Sequence, residues 1–520
     1  MTEKLAILHP EIALFITTCV VMIVGLSRSV GARRASAWIT AAGTLTALGL
    51  ALRSPEGFGL LPGMLAYAKA MIAGVGFLLL LVMAGAVDRG YEARLLRGET
   101  FDPIRATRGE FYAFFLFSLM GVMLCAGADD LIWLFLALEL VSLPTYIMVA
   151  ISSSRLRAQE AAVKYFFLGA MGAATFLYGF ALLYGAAGTT SLSGIATTFA
   201  ASGIGPLAYA GLILSILGVC FKIAAVPMHF YTADVYEGAA TPVSAYLAFA
   251  PKTAGFLALM LIVSTVGWHD GGLPEPVRVT LWVIAALTMT VGNVLATLQT
   301  SVKRILAYSS VAHSGYMLVG LIAGPGDGGV FQNGLAAILF YLLCYGVMNV
   351  GAFAALTCIE RGQNPDDPND LETLDDLKGL CATRPLVGWA MVLSVLSLLG
   401  MPVLLGFFAK LLLFSSGIAA GEIVLVVVLG LNSAIAAFYY LRIISSAMFE
   451  TPDARRDGGR LTPMRGRVLA CVVSGAAVLV LPLLFGPLQR ASSRAVSTGQ
   501  SAAIGERPGG TQAASPEAGR

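Results

Sequence analysis

The sequence predicts an all-α polytopic membrane protein with about fourteen transmembrane helices, and three observations support this fold class. Of its 520 residues, 57% are apolar and only 12% are charged, whereas soluble chains carry about 25% charged residues. The apolar residues are gathered into runs of roughly 20, the length that crosses the hydrocarbon core as a helix. Lysines and arginines are concentrated in every second loop, as expected when alternate loops lie in the cytoplasm. A soluble enzyme with one large core is therefore excluded.

The candidate spans begin with an apolar run that is too long for a signal-peptide core, and two arginines follow it without a small-residue cleavage site. We therefore expect it to be the first spanning helix. The second candidate contains several Thr and Gly, and the twelfth is too long for one straight helix. The spans are 7–26, 37–54, 66–87, 111–128, 131–151, 162–186, 206–227, 240–266, 277–299, 306–324, 331–357, 384–415, 421–448 and 466–488.

The loop charges predict the orientation. Odd-numbered loops are rich in basic residues, including the pair Arg33 and Arg34, whereas even-numbered loops carry only Arg53 and Arg278. Because cytoplasmic loops hold the excess of Lys and Arg, the odd-numbered loops are predicted to be cytoplasmic. With fourteen spans, both termini then lie outside.

The domain organisation follows from the positions of helix breaks. Span 206–227 ends at Pro227, and span 384–415 is interrupted at Gly400-Met401-Pro402, since proline removes a backbone donor. Each is the fourth helix of a five-helix set, and the two sets start on opposite sides, as in inverted-repeat transporters. We therefore divide the chain into an N-terminal three-helix segment (1–110), a first repeat (111–275), a second repeat (276–450), a C-terminal helix (451–490) and a disordered tail (491–520). The loop 187–205 suits a short surface helix and a plain loop equally well.

A small set of charges lies within the predicted spans. Glu139 is near the middle of its span, where an unpaired carboxylate is very costly, so pairing with Lys222 or Lys164 is expected. Lys164 follows Glu160 by four residues, which allows an exposed helical pair or a cytoplasmic-side role of tuning Glu139. Glu11 and Lys69 are expected at the interface.

Lys222, Lys252 and Lys410 have no acid within one helical turn. A lysine in mid-bilayer costs roughly 2.5–3.5 kcal/mol on insertion scales and marks a functional site by default, and burial lets it alternate between neutral and charged forms. The three therefore suit a proton relay, with snorkelling to the headgroups as the alternative. His229 after Pro227 suits a relay or a structural role, and His313 has small polar neighbours and could link the two repeats.

At these residues the chain resembles the antiporter-like membrane subunits of respiratory complex I, and among them the subunit N family of bacterial proton-pumping NADH:quinone oxidoreductase. The resemblance covers roughly residues 5–490. The most specific segments are ELVSLPTYIMVA (139–150), EAAVKYFFLGA (160–170), FKIAAVPMHFYTADVYEGAATPVSAYLAFAPKTAGF (221–256), SVKRILAYSSVAHSGYMLVG (301–320) and LSLLGMPVLLGFFAKLLLF (396–414).

The resemblance implies roles for individual residues. It matches Glu139 to the fifth-helix glutamate that pairs with the seventh-helix lysine, here Lys222. It matches Lys252 to the central lysine of the eighth helix and Lys410 to the twelfth-helix position. Lys164, Lys303 and His313 match polar-axis or supporting positions. We count Lys164 with the proton relay, and His229, Lys303 and His313 as supporting residues.

The implied function is proton translocation from cytoplasm to periplasm across the bacterial inner membrane, driven by quinone reduction in partner subunits. The chain itself has no flavin, nucleotide or haem motif, and its cysteines form no Cys-x-x-Cys or Cys/His cluster. NADH, FMN, iron–sulfur clusters and quinone are thus implied in the partners, namely the flanking antiporter-like subunit and the membrane subunits of the quinone module. The net charge of +3 gives no indication of nucleic-acid binding. The alternatives are a subunit of a multisubunit sodium/proton antiporter and a membrane scaffold with static ion pairs.

Overall fold

The computed structural model describes residues 2–102, 105–153, 155–268, 272–326, 329, 331–359, 373–451 and 464–497. Within these ranges the regular structure is helical, and β-type pairing is confined to two isolated bridges, Asp130–Ser191 and Ser301–Thr373. The predicted all-α fold is confirmed.

The helices follow one another with short connections. In chain order they are α1 (Thr2–Ile7), α2 (His9–Gly25), α3 (Val30–Ala51), α4 (Met64–Val82), α5 (Arg89–Leu95), α6 (Arg108–Ala126), α7 (Leu131–Ser152), α8 (Leu156–Ala187), α9 (Leu192–Ser202), α10 (Pro206–Lys222), α11 (Thr232–Gly238), α12 (Thr241–Ser264), α13 (Glu275–Thr297), α14 (Val302–Ala323), α15 (Gly334–Ile359), α16 (Leu380–Thr383), α17 (Pro385–Leu399), α18 (Leu405–Ala419), α19 (Ile423–Phe449), α20 (Arg465–Val480) and α21 (Phe485–Ser497), with 3-10 turns at Leu374–Leu377 and Leu481–Leu484.

In the described part of the chain, ten helices are long and apolar enough to cross a membrane, the last being the run Arg465–Val496. Four shorter apolar helices, α2, α10, α17 and α18, accompany them. The chain is thus a multi-pass membrane protein. Every predicted span overlaps a helix, but the count of fourteen spans stays a prediction. The weakest span, 37–54, falls on α3, which starts earlier because the Ser29 side chain caps its first turn by accepting from the Ala32 N–H.

Three helices form the centre of the bundle. In α12, α14 and α15, 94% of the membrane-spanning window is buried, against 33% in α8 and 39% in α19. Polar side chains on the three central helices are consequently shielded from lipid by the rest of the chain.

Both predicted helix breaks are present. The chain leaves α10 at Lys222 and passes through Ala224 (φ 55°) before α11 starts at Thr232. Between α17 and α18 it passes through Gly400 (φ 91°), a left-handed conformation that glycine adopts without the steric penalty of a side chain. The long segment 384–415 is therefore two helices, as the prolines indicated.

The structure corrects the prediction for the C-terminal tail and decides between the two alternatives for the loop 187–205. The predicted tail was expected to be disordered from residue 491, but α21 continues to Ser497, and the prediction is wrong for residues 491–497. The reason is amphipathic packing on α4 and α15, with Ser492, Ala495 and Val496 buried. Residues 498–520 and most of the acidic loop 361–378 lie outside the described residues. The loop 187–205 contains the short helix α9.

Candidate functional site

The site begins at a buried ion pair between α7 and the end of α10. Lys222 Nζ lies 3.0 Å from Glu139 Oε1 and also donates to the Ser142 hydroxyl. The side chain of Lys222 is 2% exposed and that of Glu139 18%, and the Phe176 ring lies 5.5 Å from Nζ. Of the two lysines expected to pair with Glu139, the structure selects Lys222.

Lys164 is predicted from the loop charges to lie on the cytoplasmic side, and its partners in the structure are Glu160 and Asp234. Its Nζ is 2.7 Å from Glu160 Oε1 and 3.0 Å from Asp234 Oδ2, and the side chain is 42% exposed. The structure thus places it in the exposed helical pair, and no contact with Glu139 is recorded among the described residues.

Asp234 and Glu237 fix the bend that leads into α12. Arg304 on α14 bridges the two acids, with Nη1 3.0 Å from an oxygen of each. Burial raises the pKa of Asp234, but hydrogen bonds and charges from Lys164 and Arg304 outweigh it, so the pKa lies below its usual value. The two acids therefore order the bend through ion pairs.

The break after α10 connects the ion pair to the centre of the bundle. Because α10 ends at Lys222, the Ile223 carbonyl is available, and the Ser314 hydroxyl donates to it at 2.6 Å. The same Ser314 oxygen accepts from Lys252 Nζ at 2.8 Å, and Lys252 also donates to the Ser310 carbonyl. Lys252 is 1% exposed, and no acidic partner for it occurs among the described residues.

His313 lies further along α14, between the two remaining lysines. Its Nδ1 is 2.5 Å from the Tyr341 hydroxyl and its Nε2 is 3.0 Å from the Tyr440 hydroxyl, so both ring nitrogens are hydrogen-bonded. Lys252 and Lys410 both act on it electrostatically. A role of His313 in linking the two predicted repeats stays a prediction.

Lys410 lies at the second helix break. We refer to Glu139, Lys222, Lys252, His313 and Lys410 together as the line. Lys410 Nζ donates to the Leu399 carbonyl at 2.8 Å, the last residue of α17, where the helix dipole favours a cation. The ammonium also lies 5.1 Å from the centroid of the Tyr316 ring. Within the described ranges Lys410 has no carboxylate partner.

The other two expected residues lie on the flank of this line. His229 is buried beside the Phe230 ring, with a centroid distance of 4.8 Å, and Lys303 donates to the Ala239 carbonyl at 3.3 Å. Neither has a recorded contact with Glu139 or the buried lysines among the described residues. The structure therefore brings together Glu139 with Lys222, and Lys252 and Lys410 around His313.

Sequence reasoning did not single out the neutral partners. They are hydroxyl groups, and three of them, Ser142, Ser310 and Tyr316, lie three residues from Glu139 or His313, a spacing that places side chains on one helix face. Ser142 follows Glu139 by three residues, and α14 repeats this spacing around His313. Prolines at 144 and 251 were also missed; each interrupts the hydrogen bonding of α7 or α12 close to an ionisable residue. The missed partners are Ser142, Ser310, Ser314, Tyr316, Tyr341 and Tyr440.

Glu11 and Lys69 are paired with each other, which was not expected from the sequence, whereas their position at the interface stays a prediction. They form a buried ion pair between α2 and α4, with 2.6 Å between Lys69 Nζ and Glu11 Oε1 and exposures of 1% and 5%. Lys69 also donates to the Ile7 carbonyl. The two residues are 58 positions apart in the sequence, and the sequence around neither of them indicates that they pair.

The described residues contain no group of three or more His, Cys, Asp or Glu side chains that could hold a metal ion. The ionisable groups of the site are instead lysines, one glutamate and one histidine, arranged between two broken helices. These features are typical of antiporter-like proteins, in which discontinuous helices surround the ion site near the midplane. The fold and the site therefore define this class of protein.

The family model described as NADH:quinone oxidoreductase/Mrp antiporter, TM, matches residues 128–436, and the chain belongs to this family. It is similar to NADH-quinone oxidoreductase subunit N of Trichlorobacter lovleyi, with 40% identity over 72% of this chain and 74% of the relative. Subunit N of Halorhodospira halophila is 35% identical over 92% and 96% of the two chains. The family resemblance seen in the motifs is confirmed.

Solved structures agree with this assignment. A chain of respiratory complex I from Thermus thermophilus has a TM-score of 0.75 and 31% identity, over 93% of this chain and 99% of that one. A chain of the Mrp complex from Dietzia sp. DQ12-45-1b has the same TM-score at 20% identity, over 97% and 100%. The second similarity concerns the fold alone.

Proposed function

We propose that this chain is the proton-translocating subunit N of a bacterial NADH:quinone oxidoreductase, and that it moves protons from the cytoplasm to the periplasm. The observation that carries this proposal is the buried line from Glu139 and Lys222 through Lys252 and His313 to Lys410. Membrane interiors exclude uncompensated charge, so Lys252 and Lys410, which have no acidic partner among the described residues, are suited to gain and lose protons.

The first step uses the ion pair. With Glu139 ionised beside it, the Lys222 ammonium is stabilised by a carboxylate at 3.0 Å and by the Ser142 hydroxyl. When a neighbouring subunit weakens that contact, the buried ammonium is no longer compensated and releases its proton, which Lys252 takes up. Glu139 therefore controls the proton affinity of Lys222.

The second step couples Lys222 to Lys252. Ser314 contacts both the Ile223 carbonyl, next to Lys222, and Lys252 Nζ. A positive charge on one lysine disfavours a positive charge on the other, and the effect is strong in a low-dielectric interior. Loss of the charge at Lys222 thus favours protonation of Lys252.

The third step delivers the proton to Lys410. His313, hydrogen-bonded to two tyrosine hydroxyls, is the titratable group between Lys252 and Lys410. The break between α17 and α18 frees backbone groups that water satisfies in a membrane protein. We assign release toward the periplasm to this end of the line.

The surface around Glu139 supports a neighbouring subunit. On the same face of α7, Ile132, Leu136 and Leu143 are 59%, 61% and 51% exposed, and the partly exposed Glu139 lies among them. A carboxylate facing lipid is costly, so a protein neighbour is expected to cover it. We propose that the flanking antiporter-like subunit or a membrane subunit of the quinone module does so.

The chain is proposed to act without a redox centre of its own. NADH oxidation with FMN and iron–sulfur clusters, and quinone reduction, are assigned to partner subunits. The inner membrane is the proposed location, with both termini in the periplasm by the loop charges. A sodium/proton antiporter subunit is the second candidate, since the Mrp complex shares the fold, but the relatives quoted at 35–40% identity are named as subunit N.

Deletion and complementation test the function. Membrane vesicles from a strain that lacks this chain, supplied with NADH, are expected to lose quinone-linked proton pumping, and the intact gene is expected to restore it without added sodium. Retained NADH-driven pumping in the deletion, together with loss of sodium-dependent proton uptake, would instead support the antiporter candidate.

A further inference from the structure

Tyr316 on α14 occupies the space between His313 and Lys410. Its ring lies edge-on to the His313 ring, with 5.5 Å between centroids and 74° between planes. The Lys410 ammonium lies over the same ring at 5.1 Å. Tyr316 is 1% exposed, so both contacts are made in the interior. It is the aromatic side chain that touches both neighbouring groups of the line.

The hydroxyl of Tyr316 is held in place from a different helix. Asn293 Nδ2 on α13 donates to it at 2.9 Å. The amide orientation of Asn293 follows from its other contacts, because Tyr439 donates to Oδ1 at 3.0 Å and the Asn432 Oδ1 accepts from Nδ2 at 3.2 Å. Asn293 and Asn432 are buried. Helices α13, α14 and α19 thus fix the plane of the Tyr316 ring.

An aromatic face attracts a cation through its quadrupole and has no comparable attraction for a neutral amine. The effect is larger where water is absent. Lys410 lacks a carboxylate partner among the described residues, and its charged form is stabilised by the Leu399 carbonyl and the Tyr316 ring. The orientation of this ring therefore bears directly on the charge state of Lys410.

We propose that Tyr316, held by Asn293, is a positioning residue that stabilises the protonated state of Lys410 and thereby sets how readily the last lysine of the line accepts a proton. This inference rests on the proposed proton-translocating function. It assigns the ring, rather than the hydroxyl, the direct effect on Lys410, and it assigns Asn293 an indirect effect through the ring orientation.

Variants that separate the ring from the hydroxyl test the proposal in the assembled complex. The number of protons pumped per electron is measured for Y316F, Y316L and N293L, with Y112L as the control. Tyr112 on α6 is as buried as Tyr316 and has no described ring contact with a lysine. Y316L is expected to lower the ratio at least about twofold, because the ring is lost. N293L and Y316F keep the ring and lose the hydrogen bond that orients it, so both are expected to lower the ratio less than Y316L does.

Equal ratios for Y316L and Y112L, or a Y316F ratio as low as that of Y316L, would overturn the proposal. If Y316L does not assemble, Y316F and N293L decide, because each breaks the hydrogen bond between Asn293 and the Tyr316 hydroxyl. The proposal requires both variants to pump fewer protons per electron than Y112L, and an unchanged ratio in either variant contradicts it. Lys410→Met in the same preparation distinguishes failure of this proposal from failure of the proposed function. An unchanged ratio there means that the proposed function itself has failed at Lys410.

Discussion

Lys222 Nζ and Glu139 Oε1 lie 3.0 Å apart between α7 and α10, and the two side chains differ in exposure, 2% for the lysine and 18% for the glutamate. The ammonium is thus enclosed by this chain, whereas the carboxylate is accessible from the α7 surface. A neighbour that contacts the chain there reaches the carboxylate first. The pair is suited to convert a contact at the surface into a change of charge in the interior.

Replacing Glu139 with Gln is expected to reduce proton pumping strongly. Breaking a buried pair by removing one partner costs about 3–5 kcal/mol, so the protonated state of Lys222 loses its main stabilisation. A step that depends on it slows on the order of 100-fold. Proton pumping per electron, measured in vesicles with NADH, checks this expectation.

Glu160→Gln is the matched control for that variant. It makes the same charge change at a carboxylate that is 59% exposed, where pairs are worth about 0–1 kcal/mol. Its pumping is expected to stay near the original value. Equal losses in the two variants would mean that charge in this part of the chain matters generally and the buried pair has no special role.

Ser314→Ala is expected to weaken the connection between Lys222 and Lys252. The hydroxyl accepts from Lys252 and donates to the Ile223 carbonyl, and a hydrogen bond to a charged group contributes about 1.5–3 kcal/mol. We expect pumping to slow roughly tenfold or more. Ser215→Ala is the control, since Ser215 is equally buried and its hydroxyl bonds only within α10, to the Gly211 carbonyl. Normal pumping in S314A would show that this serine does not connect Lys222 to Lys252.

The sequence allowed the ionisable residues of the site to be predicted, but not their neutral surroundings. Glu139, Lys222, Lys252 and Lys410 are conspicuous because charge is rare in apolar segments. Ser314 and Tyr316 are ordinary residues for a transmembrane helix, and their importance depends on which helix faces them. That depends on packing between elements far apart in the chain, which local spacing does not determine.

The fold, like the site, could be predicted only in part from the sequence. Prolines and glycines marked both helix breaks, since their backbone effects are local. The end of α21 was not predicted, because its stability comes from packing against α4 and α15 rather than from its own apolar content. The Glu11–Lys69 pair was missed for the same reason.

The Glu11–Lys69 pair is expected to contribute to stability and not to pumping. Lys69→Met leaves a buried carboxylate without its partner, and a loss of about 3–5 kcal/mol is expected. The double variant E11Q/K69M removes both charges and is expected to recover much of that loss, because replacing a buried pair by neutral groups is often nearly neutral. Thermal stability of the purified complex measures both effects. A double variant less stable than K69M contradicts the assignment.

The lowered pKa of Asp234 predicts how pumping by an Asp234 variant depends on pH. Because its pKa is held below the usual value by Lys164 and Arg304, its ion pairs stabilise the fold above the ordinary carboxylate range, near pH 4. That stabilisation is lost only as the pH falls through the lowered pKa. Asp234→Asn is therefore expected to have the same small effect, less than roughly fivefold, at pH 6 and pH 8. A pumping defect that grows between these two values would show that Asp234 titrates during turnover.

The relay through the centre of the bundle is tested most directly at Lys252, which has no described acidic partner and is 1% exposed. The measurement is the number of protons pumped per electron by the assembled complex with Lys252→Met, beside Lys378→Met as a control in a loop that is predicted to be cytoplasmic. We predict a lower ratio for K252M and an unchanged ratio for K378M. An unchanged ratio in a fully assembled K252M complex would contradict the relay and favour a static scaffold.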